Sequence, residues 1–211
     1  MTQKTFFTRE AIVEAAFTVT REQGWPAVTA RSIAKKVGSS TMPIYSSMKS
    51  MEEIETEVRG RAEALLLDFQ RRDFGGESSS LNMAIGYVTF ARDESNLFRF
   101  LYIDRPLGER EGRSGHALTT AEQFMSGTRP VALADQVPTA MEDPRILKSW
   151  IFTHGLASLL SGGVLRLADA RISELLREAG AAFFGRTAAA RAPTAAAAPA
   201  ADKTRKKKVE K

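Results

Sequence analysis

Along the chain, apolar residues recur at three- and four-residue intervals far more often than they alternate, a pattern that predicts helices rather than strands. Thr8 suits an N-cap, and Ile12, Ala15, Ala16 and Val19 share one face of a helix expected to reach about Gln23 and stop at Gly24. A second helix is expected after Thr29, ending at Gly38, with Ile33, Ala34 and Val37 inward. A short third one begins after Ser40 and runs through Tyr45. A long helix follows from about Ser50, with Ile54, Val58, Ala62 and Leu65 in register. The stretch DFGGESSS, Asp73 to Ser80, reads as a loop. Further helices are expected at roughly 81–93, 95–104, 116–127, 143–164 and 171–184. Pro106, Gly108, Gly112 and Gly115 mark a long loop, and Pro130, Pro138 and Pro144 break the later region. The expectation is an all-α protein of about nine helices, with a small N-terminal unit joined to a larger helical one.

Composition adds limits to this picture. The 211 residues are 43% hydrophobic and 26% charged, as expected of a globular chain that can bury a real core. The absence of cysteine rules out disulfides, thiolate metal sites and cysteine nucleophiles, and fits a reducing compartment. No run of about 18 apolar residues is present, and Met1 to Arg9 lacks a secretory apolar stretch. The expected location is cytoplasmic, with no membrane partner.

The net charge of +5 is unevenly spread. Residues 1–50 carry +4, residues 51–185 carry −5 and residues 186–211 carry +6. A basic head and tail therefore flank an acidic body, and these divisions give the expected domains: head 1–50, body 51–185, tail 186–211. The head or the tail, not the body, is expected to meet a polyanion. From Arg186 onward Ala and Pro dominate, and the segment is expected to be disordered because it cannot bury enough surface. Lys203, Arg205, Lys206, Lys207 and Lys208 cluster near its end. They suit either a solubilising tail or a non-specific DNA-tethering arm.

The head carries the most specific pattern. Residues 29–45, TARSIAKKVGSSTMPIY, read as helix, Gly38-containing turn and second helix. Such a helix-turn-helix places its second helix in the major groove. Thr29 at a helix start suits phosphate binding, and Arg31, Lys35, Lys36 and Lys49 add positive charge. Ser40, Thr41, Met42, Pro43 and Tyr45 can face outward from the second helix, and none is acidic. Thr41 can hydrogen-bond base edges, while Met42 and Pro43 can contact a thymine methyl. The competing reading is a three-helix fold with a solvated basic face.

Phe7 to about Val58 resembles the DNA-binding domain of the TetR family of transcriptional repressors. The resemblance rests on Ala15-Ala16, Gly24-Trp25, Thr29, Ile33-Ala34, Val37-Gly38, Ser40 and Tyr45. It implies a three-helix DNA-binding head, a helical body that binds an effector and dimerises, and double-stranded operator DNA as partner. It also implies that the Tyr45 hydroxyl donates to a phosphate, although packing of the ring under the turn is an alternative. Trp25 is expected to pack between the first and second helices. Three positions depart from the family pattern: Thr20 and Met48 stand where aromatic residues are usual, and Met51 stands where a phosphate-binding Lys is common. Met48 can fill the core, since Met adapts to irregular space. Lys49 is expected to take over the phosphate contact.

Two heads on a palindrome require a dimer, and the stretch at 143–164 offers a surface. Ile146, Trp150, His154, Ala157 and Leu160 trace one stripe of that helix, and Leu147, Ile151, Leu159 and Val164 widen it. The interface is expected to use Ala157, Leu160, Ser161, Val164, Leu175, Leu176, Ala179 and Phe183. Trp150, His154 and Gly155 also match a Trp-xxx-His-Gly stretch common in the family. A mainly apolar cavity follows from the same resemblance, with Tyr87, Phe90, Phe98, Tyr102, Phe124, Trp150, Thr153 and His154 as candidate lining. The expected effector is a small hydrophobic or aromatic molecule, with no cofactor and no metal.

Catalytic readings are weak. His116 and His154 are too far apart in sequence to form a His-x3-His or HExxH metal site. Ser158 lies one turn after His154, a spacing that more often serves packing and backbone bonding than catalysis. The expected function is a ligand-responsive dimeric DNA-binding regulator, not an enzyme. The alternative is a helical small-molecule- or partner-binding protein whose head no longer reads DNA well.

Overall fold

The computed structural model describes residues 8–38, 40–41, 44, 47–104 and 143–185. These contain seven α-helices, one short 3₁₀ turn and no strand. The helices are α1 (Arg9–Gln23), α2 (Ala30–Val37), α3 (Met51–Arg71), α4 (Ser79–Asp93), α5 (Ser95–Tyr102), α6 (Pro144–Ser161) and α7 (Asp169–Phe184), with the 3₁₀ turn at Trp25–Ala27. None is long and apolar enough to cross a membrane. The expected third helix falls largely outside the described residues, as do the helix at 116–127, the loop around Gly112 and the tail. Met42, Pro43, Tyr45 and Phe124 also lie outside them.

Local chemistry explains where the helices begin and end. Thr8, Thr29, Ser50, Ser78 and Asp143 each accept a backbone N–H from the first turn of the helix they precede. Asp143 is held to a pKa of about 2, chiefly by the Arg145 guanidinium and then by that residue's backbone N–H. Gly38 closes α2 at φ +73°, a left-handed conformation that costs glycine little. Several helix boundaries differ from the periodicity reading: α5 ends at Tyr102 and α7 starts at Asp169, each two residues from the expected boundary. α4 starts two residues early because Ser78 caps it, and α6 stops at Ser161 because Gly162 and Gly163 follow. The apolar row of α3 continues through Leu66 and Phe69, while Leu65 is only half-buried.

α4 is the central helix. Every residue from Ala84 to Ala91 is buried, because α3, α5, α6 and α7 all pack on it. Gly86 allows the closest of these approaches: a Cβ there would lie 2.7 Å from the Cα of Gln70 on α3. Phe69 and Phe90 meet edge to face beside it, 5.5 Å apart. Phe90, a candidate ligand contact, is thus fully buried and packs against α3.

The N-terminal helices are tied to the rest through α3 and α5. Arg9 of α1 pairs with Glu53 and Glu57, and Arg61 of α3 pairs with Glu10 and Glu14. Arg21, at the end of α1, holds Glu94 with both its Nε and a terminal nitrogen. Asn96 donates to the Arg21 carbonyl at 3.0 Å. Trp25 stacks on Phe100 of α5, a partner outside the head. One cluster of buried residues therefore runs from Ile12 to Leu176. Thr20 is fully buried without loss, because its hydroxyl donates to the Ala16 carbonyl at 2.8 Å. Met48 fills the core at the aromatic position, almost wholly buried.

Candidate functional site

The exposed face of α2 has a distinctive charge pattern. Its N-cap is internally satisfied: Ser32 N donates to Thr29 Oγ1 at 3.0 Å, and Thr29 N donates to Ser32 Oγ at 2.8 Å. Ser32 Oγ in turn donates to the Ala27 carbonyl. The cap thus fixes the start of α2, and less of its backbone N–H is free for an anion than Thr29 alone suggests. Arg31 and Lys35, four residues apart, both project from the exposed side. Lys36 is different, because Glu22 of α1 takes its Nζ at 2.9 Å.

Among the described residues, Arg31 and Lys35 have no carboxylate partner, whereas Arg9, Arg21 and Lys36 all do. Ser40 and Thr41 are exposed. Ile44 N donates to the Thr41 carbonyl and Met48 N to the Ile44 carbonyl, so the chain makes helical turns there. Lys49 is positioned by its backbone. Its N–H donates to Glu53 Oε2 at 2.6 Å, and this bond, followed by the Arg9 guanidinium, holds the Glu53 carboxyl below its usual range. In the sequence Glu52-Glu53 reads as an acidic pair at a helix start, and Ser50-Met51-Glu52-Glu53 has a capping-box spacing.

Five of the expected ligand-binding residues come together as one aromatic cluster, in which Tyr102, Trp150 and His154 are half-buried. Tyr87 is the hub, with Phe98, Tyr102, Trp150 and His154 around it at centroid distances of 5.5–6.3 Å. Trp150 stacks on His154 at 5.3 Å. The Tyr87 hydroxyl lies 2.9 Å from His154 Nδ1. Burial pushes the Tyr87 pKa well up and the His154 pKa down. The phenol therefore stays protonated, and its oxygen and the Nδ1 of a neutral imidazole share one hydrogen bond. Ser158 Oγ donates to the His154 carbonyl at 2.8 Å, so it bonds the backbone and not the ring.

Open space lies on another side of α6. A cavity of about 630 Å³ sits between the start of α4, α6 and α7. Leu81, Ala84, Ile146 and Leu176 supply apolar walls, and Thr153 is the one member of the expected ligand set that lines it. Glu77 and Arg177 face each other at its edge, 3.4 Å apart.

The expected dimer residues divide in two. Ala157, Leu160 and Leu176 are buried in the chain's own core and present no surface to a second copy. Ser161, Leu175, Ala179 and Phe183 are half-buried, Phe183 against Phe152 at 6.2 Å, and Val164 is 70% exposed. The outward row of α6 is instead Leu147, Ile151 and Leu159, with Gly155 between them, and Ile151 is 61% exposed. This row is one position off the main stripe, because a helix apolar on most of its circumference does not reveal its inward side. In comparisons with protein-family models and with curated proteins, the chain matched none.

Proposed function

We propose that the chain is a ligand-responsive, dimeric DNA-binding transcriptional regulator of the TetR type. On this reading it is a cytoplasmic repressor, released from a palindromic operator by a small effector. α1, α2 and the helical turns around Ile44 form the helix-turn-helix head, and the body brings the total to about nine helices. The observation that carries the reading is the selective pairing of cations. Among the described residues the outward face of α2 keeps Arg31 and Lys35 without carboxylates, beside exposed Ser40 and Thr41, and the exposed Lys49 ammonium at the corner before α3 forms no ion pair within 4 Å, although Glu53 takes its backbone N–H. Most other cations of the N-terminal region are spent on ion pairs. Cations left unpaired on one face suit a polyanion, whose phosphates release counterions when they are neutralised.

Dimerisation is supported by the row Leu147, Ile151 and Leu159 with exposed Val164, which has no cover among the described residues. A two-fold axis there would set the heads about 34–36 Å apart, or a multiple of that, to match successive major grooves. A second reading is a ligand- or partner-binding protein with a weakened head. It is favoured by Met51 in place of a phosphate-binding Lys and by the loss of Lys36 to Glu22.

A mobility-shift assay on DNA upstream of the chain's own gene, at stated salt and with random competitor, separates the two. Retention of a fragment holding an inverted repeat is expected. Lys35→Ala and Lys49→Ala should each flatten the salt slope by about one unit, and Lys36→Ala should leave it unchanged. Uniform weak binding to every fragment selects the second reading.

A further inference from the structure

We propose that the cavity between α4, α6 and α7 binds an apolar monocarboxylate, with the carboxylate on Arg177. The proposal rests on the effector reading above and names the ligand class. It places the binding site on the side of α6 that carries Ile146 and Thr153, not at the aromatic cluster. At about 630 Å³ the cavity is of ligand size. Its walls are mainly hydrocarbon, from Leu81, Ala84, Ile146 and Leu176.

Two features mark where polar atoms of a ligand would sit. Thr153 lines the cavity, is only 2% exposed, and makes no hydrogen bond among the described residues. That hydroxyl is open to the cavity and can donate to or accept from a polar atom of a ligand there. Arg177 lies at the rim, and its only ion partner among the described residues is Glu77, at 3.4 Å. Glu77 is mostly exposed, and exposed pairs of this kind contribute little. An incoming carboxylate can therefore displace it and form a two-pronged bond to the guanidinium, the geometry in which Arg outperforms other cations. The start of α4 adds to the positive side: Ser80 lines the cavity in the first turn, where backbone N–H groups have no intrahelical acceptor. The alternative polarity, a cation held by Glu77, would have to face both Arg177 and this helix end.

The test is isothermal titration of the full chain with three probes of equal length: decanoate, decan-1-ol and decyltrimethylammonium, all below micellar concentration. Decanoate should bind one site per chain, about tenfold or more tighter than the alcohol. Arg177→Gln should remove that preference while leaving the alcohol's affinity unchanged, and Glu77→Gln should tighten decanoate binding. Ala181→Trp, at an exposed position in the lining, should block all three probes by filling the space. Equal binding of acid and alcohol, a preference for the ammonium, binding that survives Ala181→Trp, or no binding at all would overturn the proposal. Operator release is read separately. Decanoate bound at this site without release of DNA leaves the cavity assignment standing and removes the effector reading.

Discussion

The indole of Trp25 lies on the ring of Phe100, with centroids 5.0 Å apart and planes 29° from parallel. One belongs to the 3₁₀ turn between α1 and α2, the other to α5, and the guanidinium of Arg59 covers Phe100 at 4.5 Å from its centroid. A stacked pair of this kind contributes about 0.5–1.5 kcal/mol beyond its buried area. A double-mutant cycle of Trp25→Leu and Phe100→Leu should therefore show coupling of that size in urea unfolding. Additive effects would mean that the two rings touch without supporting each other.

Gly86 and Gln70 lie on either side of the tightest helix approach and should respond in opposite directions. Gly86→Ala places a methyl against the α3 backbone, which cannot give way as a side-chain tip can. A loss of about 1–3 kcal/mol is expected in spite of alanine's better helix propensity. The Gln70 amide is buried, and neither its nitrogen nor its oxygen has a hydrogen-bond partner. Gln70→Met keeps the shape and removes the unpaired amide, so it should raise stability by about 1–3 kcal/mol. Thermal melts of the two variants check both signs.

The Tyr87–His154 bond makes stability depend on pH. Burial holds the folded His154 pKa below the ordinary value of 6.5. Between the folded and unfolded pKa values the unfolded chain binds more protons, so stability is fully present above about 6.5 and is lost as pH falls toward the folded value. The melting temperature should drop between about pH 7.5 and 5.5. His154→Gln can still accept from the Tyr87 hydroxyl but cannot charge, and it should flatten the profile in that window. Parallel profiles for the two proteins would contradict this.

The corrected face of α6 yields a paired test of assembly. Ile151→Glu alters an exposed residue and should leave a folded chain of half the assembled mass in sedimentation. Ala157→Glu buries an unpaired carboxylate in the core and should unfold the chain instead. If Ile151→Glu sediments like the parent, the outward row of α6 is not an interface.

What could be read from the sequence follows the range of the interactions. Thr8, Thr29, Ser50 and Gly38 act within a turn of their own positions, so the helix starts and stops around them were legible. The grouping of Tyr87, Tyr102, Trp150 and His154 was foreseen as a set, but which rings meet and at what angle depends on backbone spacing that no residue type announces. Arg21 and Glu94 are 73 positions apart, and nothing local distinguishes Glu94 from other exposed-looking carboxylates. The cavity was not foreseen because most of its wall is Ser, Ala and Leu, residues that carry no signal of a site. The inward side of α6 was misphased for the same kind of reason: its two neighbouring apolar rows differ by one position and hardly at all in chemistry.

α6 thus presents three different sides. Trp150 and His154 face the aromatic cluster, Ile146 and Thr153 face the cavity, and Leu147, Ile151 and Leu159 face outward. Sequence drift on this helix should accordingly be confined to a narrow strip around Arg145 and Lys148. Exchanges elsewhere on it would have to arrive with compensating changes on α4, on α7 or in a second copy.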